Sequence, residues 1–255
     1  MTDVVLLHGW PGSTDDFRRV IPLLPSDANP IVPQLRGFGE AFDGPLPVEE
    51  GTATAHAERV ITSLTGPAVF AGYDIGSRVA QTIARLAPEL VLGLVVTPAY
   101  PGIGDRRNEP RMQEHFWYQH FHRSGLATTL IDGNPQAVRD YLTFIWGQWT
   151  SDPSLIKGPE FDALVESYAR PGAFTASIQW YNSNRTPALE TPIAAPTVML
   201  WPAGDPLFPV DWADKVDEWF TDARLEILDG SAHFVPLEAP ARFAAAIESV
   251  MPTGA

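Results

Sequence analysis

The sequence predicts an α/β protein: a mainly parallel sheet flanked by helices, with a helical segment inserted into it. Two observations predict this. Short β-branched or aliphatic runs alternate with longer amphipathic stretches, the order that builds parallel strands joined by helices. Between about residues 97 and 190 the alternation stops, strand-like runs disappear, and aromatic residues crowd in. The 255 residues allow one large domain or a core with one insertion. The expected division is a core of residues 1–98 and 191–255 and a helical lid of residues 99–190.

Taken in order, the first strand candidate is Val4-Val5-Leu6-Leu7, ending abruptly at His8-Gly9-Trp10-Pro11-Gly12. A helix is expected over residues 16–24, with Thr14 or Asp15 as its N-cap. A second strand falls at Ile31 and Val32, before the glycine-rich turn Arg36-Gly37-Phe38-Gly39. Residues 52–64 read as helix and 68–71 as the next strand. Gly72-Tyr73-Asp74-Ile75-Gly76 turns into a helix whose apolar positions Ile75, Val79, Ile83 and Leu86 recur at helical spacing. Residues 90–96 are a buried strand. The lid then carries Phe116, Trp117, Tyr118, Phe121, Tyr141, Phe144, Trp146, Trp149, Trp180 and Tyr181. Alternation resumes with a strand at 197–201, a helix at 212–220, a strand at 225–228 and a final helix over 237–250.

Composition excludes several classes of function. The net charge is -14, from 31 acidic against 17 basic residues, so phosphate backbones and anionic membranes are repelled. There is no cysteine, hence no disulfide, thiolate nucleophile or thiolate metal site. No apolar run approaches the roughly 20 residues that span a bilayer. The start of the chain lacks the basic and apolar pattern of a secretion signal, so a cytoplasmic location is expected. His120 and His122 are two apart, which puts them on different faces of a helix, so no metal site is expected. No phosphate loop or dinucleotide fingerprint is present, and no cofactor is expected.

Three residues point to chemistry. Gly72-Tyr73-Asp74-Ile75-Gly76 has the glycine-flanked form of a nucleophile elbow, with aspartate at its centre. Such a turn sets Asp74 at a helix N-terminus, where the dipole favours the carboxylate. Asp205, in Gly204-Asp205-Pro206, follows the penultimate strand candidate, and His233, in Gly230-Ser231-Ala232-His233, follows the last. Each taken alone reads equally as a turn residue or an ordinary loop histidine. In the chain order nucleophile, acid, histidine, each just beyond a strand, they read as a triad.

With these residues in hand, the chain resembles the α/β-hydrolase superfamily, in the aspartate-nucleophile branch that holds epoxide hydrolases and haloalkane or haloacid dehalogenases. The matching features are His8-Gly9-Trp10-Pro11, the Asp74 elbow, Thr97-Pro98, Gly204-Asp205 with Pro209, and Gly230 to His233 followed by Glu238 and Pro240. The resemblance implies that Asp74 displaces a leaving group from a saturated carbon and becomes an alkyl ester. His233, oriented by Asp205, would then activate water to attack the ester carbonyl. The oxyanion would sit on Asp74, facing the backbone N–H groups of Trp10 and Ile75.

The leaving group is decided elsewhere. The dehalogenases of this resemblance usually carry tryptophan or arginine directly after the nucleophile, where this chain has Ile75. Epoxide hydrolases protonate the ring oxygen from lid tyrosines. Trp180-Tyr181-Asn182 is similar to the second of their ring-opening motifs, and Tyr118 is the preferred first donor, with His115 and His120 as alternatives. A one-residue shift would align Trp117 instead, which could hold a halide. Arg78 matches a carboxylate-binding arginine of fluoroacetate dehalogenases, but the second arginine of that pair is missing, so Arg78 is expected to pair with an acidic neighbour on the core surface. The implied activity is hydrolysis of a small, largely apolar epoxide to a diol, with Trp117, Trp180 and His115 around the substrate. A dehalogenase is the alternative, and a non-catalytic ligand-binding member of the fold is the reading from another class. Family members usually carry a further hairpin ahead of the first strand here, so six strands are expected rather than eight. The edge strand should then lie near Ile31 and Val32, guarded by Pro30 and Pro33. The chain is expected to be a monomer or a homodimer.

Overall fold

A computed structural model describes residues 1–185 and 191–252. Its six strands are β1 (Thr2–Leu7), β2 (Ala28–Ile31), β3 (Ala68–Gly72), β4 (Val91–Val96), β5 (Thr197–Pro202) and β6 (Ala223–Leu228). They form one sheet in the order β2-β1-β3-β4-β5-β6, with every neighbouring pair parallel. β3 and β5 are buried at every residue, because helices cover both faces of a parallel sheet; hence they read as unbroken apolar runs. Six strands, with β2 at the edge, is the expected arrangement. The edge strand begins earlier than expected and ends at Ile31, holding Pro30 within it and leaving Pro33 beyond.

The helices are α1 (Ala53–Ser63), α2 (Ile75–Leu86), α3 (Gln113–Arg123), α4 (Leu126–Ile131), α5 (Pro135–Trp149), α6 (Pro159–Ala169), α7 (Ala173–Ser183), α8 (Val216–Trp219), α9 (Val235–Glu238) and α10 (Pro240–Val250). α1 packs on α2, and α10 packs on β4. The five helices α3 to α7 all lie between β4 and β5 in the chain. The expected end of the lid, residues 186–190, lies outside the described residues. The last helix of this insertion is tied to the core by Asn184, whose Oδ1 accepts from the Ala53 N–H and whose Nδ2 donates to the Gly51 carbonyl.

Proline and capping explain where helices differ from expectation. The helix expected over 16–24 is two short 3₁₀ turns, Thr14–Phe17 and Ile21–Leu23. Ser13, not Thr14 or Asp15, caps the first, and Pro22 denies the second an interior N–H. The helix expected over 212–220 is a 3₁₀ run, Val210–Lys215, followed by the single turn of α8. The final helix is broken at Ala239, which leaves the helical region because Pro240 follows it. Among the described residues no helix is long and apolar enough to cross a membrane. Among the same residues no group of three or more acidic, histidine or cysteine side chains could hold a metal ion.

Candidate active site

The elbow is built by contact, not only by turn propensity. A Cβ on Gly72 would lie 2.6 Å from the Gly76 carbonyl carbon, and one on Gly76 would collide with the Leu7 carbonyl of β1. Only glycine lets β3, the turn and β1 close on one another. Asp74 has φ 51°, and among the described residues no other non-glycine residue has a positive φ. Such a backbone costs on the order of 1–3 kcal/mol and is held by its surroundings. Part of that hold is visible: the Asp74 N–H donates to Thr97 Oγ1 at 3.1 Å, and Ser77 Oγ donates to the Thr97 carbonyl at 3.0 Å.

The structure brings Asp74, Asp205 and His233 together. His233 Nδ1 is 2.9 Å from Asp205 Oδ2, and its Nε2 is 3.4 Å from Asp74 Oδ2, an ion-pair contact too long for a strong hydrogen bond. Asp205 is fixed by the Leu207 N–H, which donates to its Oδ1 at 2.8 Å. All three side chains are buried. Burial works against a charged His233, but Asp205 and then Asp74 outweigh it and raise its pKa from 6.5 to about 10. The Trp10 N–H donates to Asp74 Oδ1 at 2.8 Å. Ile75 opens α2, where first-turn N–H groups have no partner inside the helix.

A cavity of about 380 Å³ opens over Asp74, and its lining includes Ile75, Arg78, Tyr118, Trp180 and Tyr181. The rings of Tyr118 and Tyr181 meet edge to face, 5.5 Å between centroids. Burial, and then the Asp74 charge, push the Tyr118 hydroxyl well above its ordinary pKa. Burial also lifts that of Tyr181, so both remain proton donors.

Trp117 does not line the cavity. One residue along α3 turns it away to pack against Phe121, Tyr141 and Phe144. His115 also stays outside, partly exposed beside Glu114 near the start of α3, and His120 is exposed. Arg78 departs from expectation too. One turn beyond Asp74 on α2, it faces the cavity, with its guanidinium 5.8 Å from the Trp180 ring. No carboxylate pairs with it among the described residues.

Several supporting groups escaped sequence reading. Tyr168 donates to the Gly12 carbonyl at 3.1 Å and accepts from the Gly12 N–H at 3.0 Å. Trp146 Nε1 donates to the Pro11 carbonyl at 3.0 Å, and Trp10 Nε1 donates to Ser177 Oγ at 3.2 Å. Three inserted helices thus clamp the loop that presents the Trp10 N–H. His122 packs 4.6 Å from Trp10 and 4.7 Å from Tyr181, and burial holds it neutral. The His233 loop is held by Glu238, which accepts from the Ala232 and Phe234 N–H groups and from the hydroxyls of Thr150 and Ser151. Glu238 was singled out by the family resemblance, though not its role; for the others the signal was the aromatic density of residues 116–181, and their partners are too distant in sequence to read.

A parallel sheet with an elbow at the end of its central strand, and an Asp–His–Asp constellation above it, defines an α/β hydrolase. The chain belongs to the alpha/beta hydrolase family, matching it over residues 4–246. It is 27% identical over 247 residues to a soluble epoxide hydrolase of Corynebacterium sp. (strain C12), covering 93% of this chain and 85% of that one. It is 26% identical over 257 residues to a pimeloyl-[acyl-carrier protein] methyl ester esterase of Aromatoleum aromaticum, covering 98% of each. Its fold is similar to that of an epoxide hydrolase of Bacillus megaterium solved with an inhibitor, with a TM-score of 0.83 at 17% identity, over 98% of this chain and 93% of that one.

Proposed function

We propose that the chain is an epoxide hydrolase that opens an epoxide to a vicinal diol through a covalent ester on Asp74. One observation carries the reading: two buried, protonated tyrosines, Tyr118 and Tyr181, line the same cavity as the elbow carboxylate. In the first step an Asp74 carboxylate oxygen attacks one ring carbon and the carbon–oxygen bond breaks. Tyr181 and Tyr118 hydrogen-bond to the departing oxygen and supply its proton. In the second step His233 takes a proton from water, which adds to the Asp74 carbonyl carbon. The oxyanion forms on Asp74, where the Trp10 N–H already donates and the Ile75 N–H is the second donor. Collapse breaks the ester carbon–oxygen bond, and the departing alkoxide takes the remaining proton of the added water, which completes the diol and restores the carboxylate.

Electrostatics order the two steps. In the resting site the Asp74 charge helps to keep His233 protonated. Esterification removes that charge, so the His233 pKa falls, its proton passes to the tyrosinate left by ring opening, and the neutral imidazole can then take a proton from water. Both steps need only water and protein groups.

The same two steps would serve a dehalogenase, but Ile75 offers no side-chain donor to a halide and Trp117 faces away from the cavity. An esterase of the pimeloyl type attacks a planar carbonyl, for which the tyrosine pair has no evident task. A non-catalytic binding role leaves the Asp205–His233–Asp74 alignment without purpose. The discriminating experiment is a parallel assay of small epoxides, haloalkanes, fluoroacetate and simple methyl esters, reading diol, halide and acid release. Diol formation alone is expected; halide or acid release without diol would overturn the reading.

A further inference from the structure

The cavity has an electrostatic character that does not match an apolar substrate. In this acidic chain arginines are generally paired: Arg18 with Asp15, Arg106 with Asp214, Arg139 with Asp162 and Arg242 with Glu226. Arg78, Arg107 and Arg185 all line the cavity, with Arg123 beside it, and none has a carboxylate within 4.0 Å among the described residues. Arg123 donates to the Tyr181 carbonyl and to Gln119 Oε1, Arg185 donates to Asn182 Oδ1, and among the described residues no side-chain hydrogen bond engages Arg78 or Arg107. The acids of the lining are Asp74 and Asp105, and Asp105 accepts from the Asn108 amide at 3.4 Å.

These guanidinium groups feel one another. Burial and then the Arg107 charge lower the pKa of Arg78 to about 10, and only Asp74 opposes them. Burial, Arg107 and Arg185 act on Arg123 in the same direction. Confining like charges costs free energy unless an anion joins them. Asp74 is that anion for Arg78 in the resting site. It loses its charge when it becomes an ester, leaving the cluster without a counter-ion midway through the reaction.

We propose that the substrate carries, besides its reactive ring, an anionic group of carboxylate type that sits between Arg78 and Arg107. This deepens the epoxide reading, on which it rests for the reactive group, and it replaces the expectation of a largely apolar substrate. Residues four apart on a helix lie about 5–6 Å apart. The anion therefore sits only a few carbons from the carbon that bonds to Asp74. Phe116, Ile103 and Phe208 line the same cavity and suit a short hydrocarbon between the two ends.

The test pairs two measurements. Hexanoate and its neutral counterpart hexanamide are titrated against the protein by tryptophan fluorescence, and 5,6-epoxyhexanoate is compared with its amide as substrate. Hexanoate should bind about tenfold more tightly than hexanamide, and 5,6-epoxyhexanoate should show a similar advantage in kcat/KM, carried by KM. Both preferences should collapse towards unity in Arg107→Gln, which alters a short, partly exposed turn, and in Arg78→Gln. Equal binding of hexanoate and hexanamide, or a preference that survives both substitutions, would overturn the proposal. Hexanoate selectivity without diol from any epoxide would uphold the anion site and remove the epoxide reading alone.

Discussion

Asp74 sits at a positive φ between two glycines, with one oxygen on the Trp10 N–H and the other facing His233. This was the most legible part of the site, because elbow, acid and histidine each lie in a local motif just past a strand. The tyrosines were legible only through the family resemblance, since nothing in the periodicity of α3 or α7 separates Tyr118 and Tyr181 from packing residues. Tyr181→Phe should lower kcat for epoxide opening about 100-fold, the lower end of general-acid assistance, because Tyr118 remains to share the load. Unchanged diol formation with a correctly folded variant would remove the ring-opening role. A second residue was invisible in sequence. Asp16 is buried under Tyr73, whose hydroxyl donates to it at 2.6 Å, and burial raises its pKa from 3.8 to about 7. The folded state thus holds a proton that the unfolded state releases. This group therefore erodes stability as pH rises from about 4 to 7, by at most about 1.4 kcal/mol per pH unit. Asp16→Asn should flatten that slope, measured as urea midpoints at pH 5 and pH 7; an unchanged slope would contradict it.

At the scale of elements, the sheet was legible because its strands are buried on both faces and read as apolar runs, whereas several helices were not. Pro22 and Pro240 decided their breaks, and the capping role of Ser13 depends on Asp16 returning to its N–H. Among the described residues the edge strand β2 pairs only with β1, and Pro30 lacks the N–H that a further strand would need. Replacing both Pro30 and Pro33 with threonine should restore a full donor row and increase self-association. Sedimentation at micromolar concentration checks this: the variant should shift to larger species than the parent, and identical profiles would show that the prolines do not guard the edge.

At the scale of the whole molecule, the strands and their following turns bring Asp74, Asp205 and His233 together, while helices α3 to α7 close over this candidate site. Trp146, Tyr168 and Ser177, from three inserted helices, hold the Trp10 loop, and the Trp149 carbonyl accepts from the His233 N–H at 3.0 Å. Such contacts join residues more than 80 positions apart, so a local reading of the chain finds the aromatic richness but not its purpose. The acidic surface and the arginine-lined cavity show the same separation, since net charge describes the outside and says nothing of the pocket. The central claim is that Asp74 becomes an ester that His233 is needed to cleave. It is tested most directly by intact-mass and peptide mass spectrometry of His233→Gln mixed with an epoxide that the parent protein opens. The account predicts a protein heavier by the whole mass of the epoxide, with the added mass on the peptide containing Asp74 and absent in Asp74→Asn. A His233→Gln protein that folds, consumes the epoxide and carries no adduct would contradict it.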